Sequence, residues 1–253
     1  MSCDLLVASA HPDDAELAFG GIVAAAVERG LTVVLADATR GERATRGDVP
    51  RRAAEAAEAA RRLGVGTRVQ LGLPDLGLAA SDVQQRRVLV EALRVHRPRL
   101  VLGPHPEEGH PDHHALSRLL CDAVEEARIG GSPATGERHA VRQLLFAWPS
   151  AGADQSGGAG GGGALGGGAV VDVSHTFARK MEAIAAYASQ FSGGGTSTRL
   201  TGGGFRELVE ARARLAGATI GVRYGEGVCW RGAVSVEALA LLATASLPRA
   251  SHR

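Results

Sequence analysis

Two short segments of the sequence group histidine with aspartate at spacings that suit a metal ion. The first is HPDDAE, beginning at His11, and the second is GHPDHH, beginning at Gly109. Zinc accepts imidazole nitrogen and carboxylate oxygen, and a catalytic zinc site uses three protein ligands with one open position. His11 and Asp14 can reach one ion across a turn, and His113 can supply the third ligand. The two segments together predict one metal site.

The other polar side chains of these segments could carry acid–base chemistry. Asp13 would lie beside the ion without binding it, which is where a general base belongs. His110 can face the same pocket, and Asp112 could orient a histidine through its ring N–H. Helix capping is the alternative: Asp13 with Glu16 fits an N-cap pair. Asp112 could likewise cap the next helix, with the histidines left in a solvated loop.

The elements that must position these side chains can be traced from apolar periodicity. Apolar runs at 4–10, 31–36, 68–73 and 99–103 predict buried strands. Helices are predicted at 15–29, from Pro50 to a stop at Gly64, from a capping box at Ser81 to Val95, and from the second segment to about Arg128. This alternation predicts an α/β, Rossmann-like, mostly parallel sheet with helices on both faces.

Polar clusters follow each of the four predicted strands. They are HPDD, TRGER, LPD and HPEEGHPDHH. In such a sheet ligands bind beyond the carboxyl ends of the strands, so we expect the active site on that rim.

The second half of the chain carries fewer signals. Strands are expected at 143–147 and 169–173, and helices at 174–190 and about 205–215. Between them, the glycine-rich stretch 151–169 cannot bury enough apolar surface to offset its ordering entropy, so we expect a flexible loop. The length of 253 residues suits a single domain, 1–253.

Composition narrows the classes of partner. Lys plus Arg is 28 and Asp plus Glu is 27, so nothing calls for nucleic acid or an anionic membrane. No apolar run reaches the ~18 residues of a spanning helix, and the opening residues lack the features of a signal peptide. Three widely spaced cysteines argue against a disulfide framework. We therefore expect reduced thiols and a cytoplasmic location.

The two segments also carry a family resemblance. AHPDDAE, followed by HPDH about a hundred residues later, resembles the PIG-L/LmbE-like zinc-dependent N-deacetylases. The resemblance implies that His11, Asp14 and His113 bind Zn²⁺ and that Asp13 is the general base. It implies that His110 stabilises the oxyanion or assists proton transfer, and that the protein is a homo-oligomer. Fe²⁺ could occupy the same site, because these ligands do not select zinc by affinity alone.

Further segments bear on the substrate. TRGERATRG, LGLPD and AYASQF resemble the branch of the family that makes bacillithiol, which implies N-acetylglucosaminyl-L-malate as substrate. Arg52 could hold a substrate carboxylate, with Arg40 and Glu42 as similar candidates. A solvated helix arginine is the alternative for Arg52.

Two kinds of rival function stay open. The first is deacetylation of another N-acetyl amino sugar, such as a mycothiol precursor, a chitin fragment or a glycolipid sugar. The second is a metal- or nucleotide-binding module without catalysis. No G-x-G-x-x-G follows the first predicted strand and no P-loop is present, which disfavours the nucleotide module.

Overall fold

A computed structural model of the chain describes residues 2–148, 167–191 and 204–246. Along these residues the elements follow in the order β1 (Leu5–Ser9), α1 (Asp14–Glu28), β2 (Val33–Asp37), α2 (Val49–Leu63), β3 (Thr67–Gln70), α3 (Val83–His96), β4 (Leu100–Gly103), α4 (Pro111–Ala127), β5 (Gln143–Ala147), β6 (Gly167–Asp172), α5 (Phe177–Ile184), α6 (Ala188–Phe191), α7 (Phe205–Ala218), β7 (Gly225–Trp230) and α8 (Val236–Ser246).

The strands form one sheet in the order β3-β2-β1-β4-β5-β7-β6. Strands β1 to β5 pair in parallel, whereas β7 pairs antiparallel with both β5 and β6. The predicted α/β class with a mostly parallel sheet is therefore confirmed. The chain builds outward from β1 to β3 and then crosses to β4 on the other side of β1. This reversal of strand order lies where an open α/β sheet binds its ligands.

Strands β1, β2 and β4 are buried on both faces, as the predicted helices on both faces require. The prediction of a buried strand at 68–73 was wrong, because β3 lies at the edge of the sheet and is exposed or half-buried. Alternate residues of β1 enter opposite apolar cores: Leu5 and Val7 lie in one, Leu6 and Ala8 in the other. The first core also takes apolar residues from α1, α2 and α5, and the second takes them from α3 and α4. Burial on both faces explains why these strands read as continuous apolar runs.

The residues at the two ends of α2 determine where this helix begins and ends. The Asp48 carboxylate accepts a hydrogen bond of 2.8 Å from the backbone N–H of Arg51, and Pro50 lies in the first turn. Gly64 ends the helix with φ 81°, a conformation that glycine adopts without a Cβ clash. Proline at the start and glycine at the end are confirmed as predicted. In α3 the N-cap is Asp82, whose carboxylate accepts hydrogen bonds from the backbone N–H groups of Gln84 and Gln85. The prediction of Ser81 as the capping residue was therefore wrong.

A buried ion pair ties α1 to distant parts of the chain. Glu226 on β7 accepts hydrogen bonds of 2.9 Å and 2.8 Å from the backbone N–H groups of Gly21 and Ile22 in α1. Lys180 on α5 donates to the same carboxylate at 2.6 Å. A Cβ at Gly21 would lie 2.6 Å from the Cβ of Val173, so only glycine permits this approach. Helix α1, which begins at the last residue of HPDD, is thus fixed to α5 and β7.

The elements of the second half of the chain differ most from the sequence predictions. Strand β6 begins at Gly167, so the last residues of the predicted loop 151–169 are strand, and 151–166 lie outside the described residues. The predicted helix 174–190 is two helices, because Ala186 and Tyr187 make tighter i→i−3 bonds beyond α5 while the ring of Tyr187 is fully buried. Strand β7 was not predicted, since its sequence GEGVCW lacks an apolar run. Helix α8 was not predicted either.

Two compositional expectations can be compared with the structure. Cys3, Cys121 and Cys229 are free thiols, as predicted, with the first and last buried. Across the described ranges, no helix combines the length and apolarity needed to cross a bilayer.

Candidate active site

Two histidines and one aspartate meet where β1 and β4 end. His11 follows β1, Asp14 is the first residue of α1, and His113 lies in the first turn of α4. One carboxylate oxygen of Asp14, Oδ2, lies 3.3 Å from His11 Nδ1 and 3.1 Å from His113 Nε2. The same oxygen accepts a hydrogen bond of 2.8 Å from the backbone N–H of His11. Two imidazole nitrogens and one carboxylate oxygen are a donor set that fits zinc or a similar divalent ion.

Burial and the neighbouring charges have opposite effects on the ionisation of His11 and Asp14. Burial disfavours the charged form of His11, but the Asp14 carboxylate outweighs it and the pKa of His11 rises to about 9. For Asp14, burial opposes ionisation while His113 and His11 favour it, and its pKa lies well below the ordinary range. The carboxylate is therefore ionised, as a metal ligand must be.

His110 lies against both of these histidines. Its ring centroid is 4.8 Å from that of His11 and 5.1 Å from that of His113. His110 Nδ1 accepts a hydrogen bond of 3.2 Å from the backbone N–H of Asp112 and so caps α4. Burial, with His11 and His113 nearby, lowers the pKa of His110. Neutral His110 with Nδ1 as acceptor carries its proton on Nε2, which leaves one N–H donor in the site.

Asp112 contacts the ring of His11 instead of capping α4. Its Oδ2 lies 3.2 Å from His11 Nε2, and the side chain is 1% exposed. The capping alternative for Asp112 is therefore wrong, because His110 caps the helix. The carboxylate also accepts hydrogen bonds from the backbone N–H groups of Leu76 and Leu78, at 2.8 Å and 3.2 Å.

Asp75 is a site residue to which sequence reasoning gave no role. Its Oδ1 lies 3.3 Å from His11 Nε2, so two buried carboxylates face one ring nitrogen. Asp75 belongs to the LPD cluster after β3, and its position on the rim was the signal that could have identified it. Its other oxygen accepts a hydrogen bond of 2.8 Å from the backbone N–H of Arg43. Asp75 thus joins His11 to the loop that follows β2.

Asp13 is held in an unusual backbone conformation. Its φ is 115°, a region that non-glycine residues rarely adopt and that is over-represented at functional sites. It precedes α1, yet its side chain makes no capping hydrogen bond. Glu16 does not complete a capping box either, because it is buried and accepts a 2.6 Å hydrogen bond from Arg68. The capping alternative for this segment is therefore wrong.

The ionisation of Asp13 is set by burial and its neighbours. Burial first, and the Asp14 charge second, raise the pKa of Asp13 to about 7, while Arg52 and His11 oppose the rise. Arg52 Nη2 lies 3.3 Å from Asp13 Oδ2 and 2.5 Å from the carbonyl oxygen of Pro12. A carboxylate with a pKa near neutrality is suited to general-base catalysis.

The three residues predicted to bind substrate have different environments. Arg52 is 4% exposed and engaged with Asp13, so it is not a solvated helix arginine. Arg40 is exposed, and its backbone N–H donates to Glu42 Oε2 at 3.2 Å. Glu42 Oε1 accepts a hydrogen bond of 2.9 Å from the backbone N–H of Asp75. The loop that carries Arg40 and Glu42 therefore borders the site through Asp75.

Comparison with known proteins gives a consistent set of relatives. Residues 6–124 match the family described as PIG-L: GlcNAc-PI de-N-acetylase. A probable N-acetyl-alpha-D-glucosaminyl L-malate deacetylase 2 of Bacillus cereus is 31% identical over 136 residues, which are 49% of this chain and 62% of that protein. The diacetylchitobiose deacetylase of Thermococcus kodakarensis is 33% identical over 129 residues, which are 47% of this chain and 48% of that protein. The match thus spans between about half and two thirds of these relatives.

A solved structure matches over nearly the whole chain. The crystal structure of a conserved protein from Thermus thermophilus is 37% identical, with a TM-score of 0.77, and the match covers 92% of this chain and 94% of that one. The family match runs from β1 into α4 and so includes both His/Asp segments and the residues gathered around His11. Over residues 6–124, which hold both His/Asp segments, the chain is therefore similar to the PIG-L family.

Proposed function

We propose that this protein is a metal-dependent hydrolase that removes the N-acetyl group from an N-acetylglucosaminyl conjugate. The observation that carries the proposal is the Asp14 carboxylate, which lies within 3.3 Å of nitrogens of both His11 and His113. Beside it, Asp13 is a buried carboxylate that binds neither of these nitrogens. Both curated relatives are named as deacetylases, which supports the same reaction.

The metal would be held by His11, Asp14 and His113. Zn²⁺ fits this donor set, and Fe²⁺ would fit it as well. When bound, such an ion supplies Lewis-acid activation of the amide carbonyl and of water.

Asp75 and Asp112 would orient His11. A metal-binding histidine commonly donates its second ring N–H to a carboxylate, which fixes its tautomer and orientation. Both carboxylates lie within 3.3 Å of His11 Nε2, so this ring cannot turn without losing two partners.

Asp13 is the proposed general base. It accepts a proton from the attacking water, and a positioned base contributes typically 10²–10⁴-fold to rate. Its 3.3 Å contact with Arg52 stabilises the ionised form and restrains the side chain.

His110 is the proposed donor to the oxygen on which negative charge develops. Because Nδ1 already accepts the N–H of Asp112, the free donor of the neutral ring is Nε2–H. A hydrogen-bond donor that is already in place does not have to be reoriented as the negative charge develops. The departing amine needs a proton, which Asp13 can return because it has taken one from the attacking water.

N-acetylglucosaminyl-L-malate is the proposed substrate, within bacillithiol biosynthesis. The named activity of the Bacillus cereus relative supports this choice. The exposed Arg40 could pair with a malate carboxylate, since guanidinium matches carboxylate geometry. A cytoplasmic location, where free thiols stay reduced, belongs to the same proposal.

Two substitutions test the assignment of the aspartates. Asp13→Asn keeps the shape of the side chain and leaves all three metal ligands, so we expect retained zinc and a kcat about 10²–10⁴-fold lower. Asp14→Asn should instead lose zinc. Zinc content by elemental analysis and acetate release are measured on both variants. Normal turnover by zinc-loaded Asp13→Asn would refute the general-base role of Asp13. Loss of zinc from Asp13→Asn but not from Asp14→Asn would show that the two roles are reversed.

A further inference from the structure

An exposed leucine stands at the edge of the proposed active site in a strained conformation. Leu76 has a φ of 56°, in the left-handed region that leucine rarely adopts. The residue is 57% exposed, while Leu73 and Leu78 of the same segment are buried. A bulky residue held with positive φ and pointing into solvent needs a structural cause, because strain of this kind is concentrated at functional sites.

The cause is the set of hydrogen bonds that hold the turn from Pro74 to Ala79. The backbone N–H of Leu76 donates to Asp112 Oδ2 at 2.8 Å. On the other side of the turn, the Gln85 amide donates to the carbonyl oxygen of Gly77 at 2.9 Å and accepts from the N–H of Ala79 at 3.0 Å. The backbone on both sides of Leu76 is therefore held by hydrogen bonds in this conformation.

The same bonds place Leu76 next to the proposed chemistry. The Asp112 oxygen that accepts its N–H also lies 3.2 Å from His11 Nε2. The preceding residue, Asp75, contacts the same ring nitrogen at 3.3 Å. Leu76 and the proposed metal ligand His11 thus contact the same oxygen of Asp112. The residue is exposed to solvent and its side chain is aliphatic.

We propose that Leu76 is a specificity-determining residue that packs against the apolar C–H face of the substrate's sugar ring. This inference rests on the proposed function, since it assumes an amino-sugar substrate. Hydroxyl and acetamido groups need polar partners, but the ring C–H face gains from apolar contact, and Leu76 offers no polar atom. The water-exposed area that the free protein leaves on this leucine would be covered when substrate binds.

The test compares three substitutions at Leu76, using the zinc-loaded protein and methyl 2-acetamido-2-deoxy-glucoside. Leu76→Ala should raise KM about tenfold with kcat retained, because the apolar contact is lost while the metal and base are unchanged. Leu76→Met keeps apolar bulk and should restore KM. Leu76→Gly removes both the side chain and the strain, so it should resemble the alanine variant. Leu215→Ala, an exposed leucine on α7, is the matched control and should resemble wild type.

Binding is measured separately from turnover. Calorimetry with the product, methyl 2-amino-2-deoxy-glucoside, should show the same tenfold rise in Kd for Leu76→Ala. If wild type binds the sugar but releases no acetate, the proposed function is refuted. The role of Leu76 in binding would still be supported if Leu76→Ala showed the tenfold rise in Kd. An unchanged KM and Kd in Leu76→Ala would overturn the inference, as would wild type that binds no amino sugar. A changed sedimentation coefficient with unchanged KM would also overturn it, by assigning Leu76 to a subunit contact.

Discussion

At the residue scale, the contact between Arg52 and Asp13 supports a second role for the arginine, which is to position the proposed base rather than to bind substrate. The guanidinium is buried and its Nη2 lies 3.3 Å from the Asp13 carboxylate. An arginine used to position a base affects kcat, whereas one that binds a substrate carboxylate affects KM. The two roles can therefore be separated by kinetics.

Replacing Arg52 with methionine should lower kcat about tenfold or more and leave zinc content unchanged. The change removes the partner that fixes Asp13 and stabilises its charge, and misplacement of a catalytic group can cost a large factor in rate. Steady-state acetate release and zinc analysis are the measurements. Arg51→Met is the matched control, because the neighbouring Arg51 side chain is 59% exposed. A raised KM with normal kcat in Arg52→Met would return Arg52 to substrate binding.

Some features of the site could be read from the sequence and others could not. His11, Asp13, Asp14, His110 and His113 stand in two compact segments that each follow an apolar strand, and their residue types alone point to metal chemistry. Asp112 was expected to orient a histidine, but its particular partners could not be predicted, because its contacts with His11 and Leu76 join three parts of the chain. Arg52 was picked out, but its burial against Asp13 depends on how α2 packs beside α1.

At the element scale, helices α3 and α4 are joined by a partly buried carboxylate. Glu126 Oε2 accepts a hydrogen bond of 2.7 Å from Arg86 on α3, and Oε1 accepts one of 2.8 Å from Ser132. The hydrogen bond from Ser132, followed by that from Arg86, lowers the pKa of Glu126 although burial opposes the shift. A carboxyl group whose pKa is lowered on folding stabilises the protein above its unfolded pKa of about 4.3.

Glu126→Gln should therefore lower Tm by about 2–4 °C at pH 7, as expected for ~1 kcal/mol in a chain of this size. The difference from wild type should stay constant above about pH 5.5 and shrink as pH falls through the folded-state pKa, because the wild-type carboxylate then becomes protonated. Thermal unfolding followed by circular dichroism between pH 4 and pH 8 measures this. A difference that grows on acidification would contradict the assignment.

The elements that position the site residues were also the ones that the sequence predicted best. Strands β1, β2 and β4 are buried on both faces, so they appear as plain apolar runs. Strand β7 was missed because two of its six residues are glycine, and Gly227 packs where a Cβ would clash with the Trp148 ring. The pair Lys180 and Glu226 lies 46 residues apart in the chain and becomes a pair only through the tertiary fold.

At the scale of the whole molecule, the fold brings the two His/Asp segments together at the reversal of strand order. His11 follows β1 and His113 follows β4, and these strands are neighbours in parallel register. The turn after β3 reaches the same place through Asp75 and Leu76. The proposed chemistry thus depends on the three connections that follow β1, β3 and β4 at the carboxyl ends of the strands. Strands β5, β7 and β6 extend the sheet beyond β4, on the side away from β1.

The measurement that tests the central claim most directly is acetate release from N-acetylglucosaminyl-L-malate before and after metal removal. The account predicts that the zinc-loaded protein releases acetate, that chelation abolishes the release, and that added Zn²⁺ or Fe²⁺ restores it. Free N-acetylglucosamine, assayed beside it, shows whether the malate group is recognised. Full turnover by the metal-free protein would contradict the account.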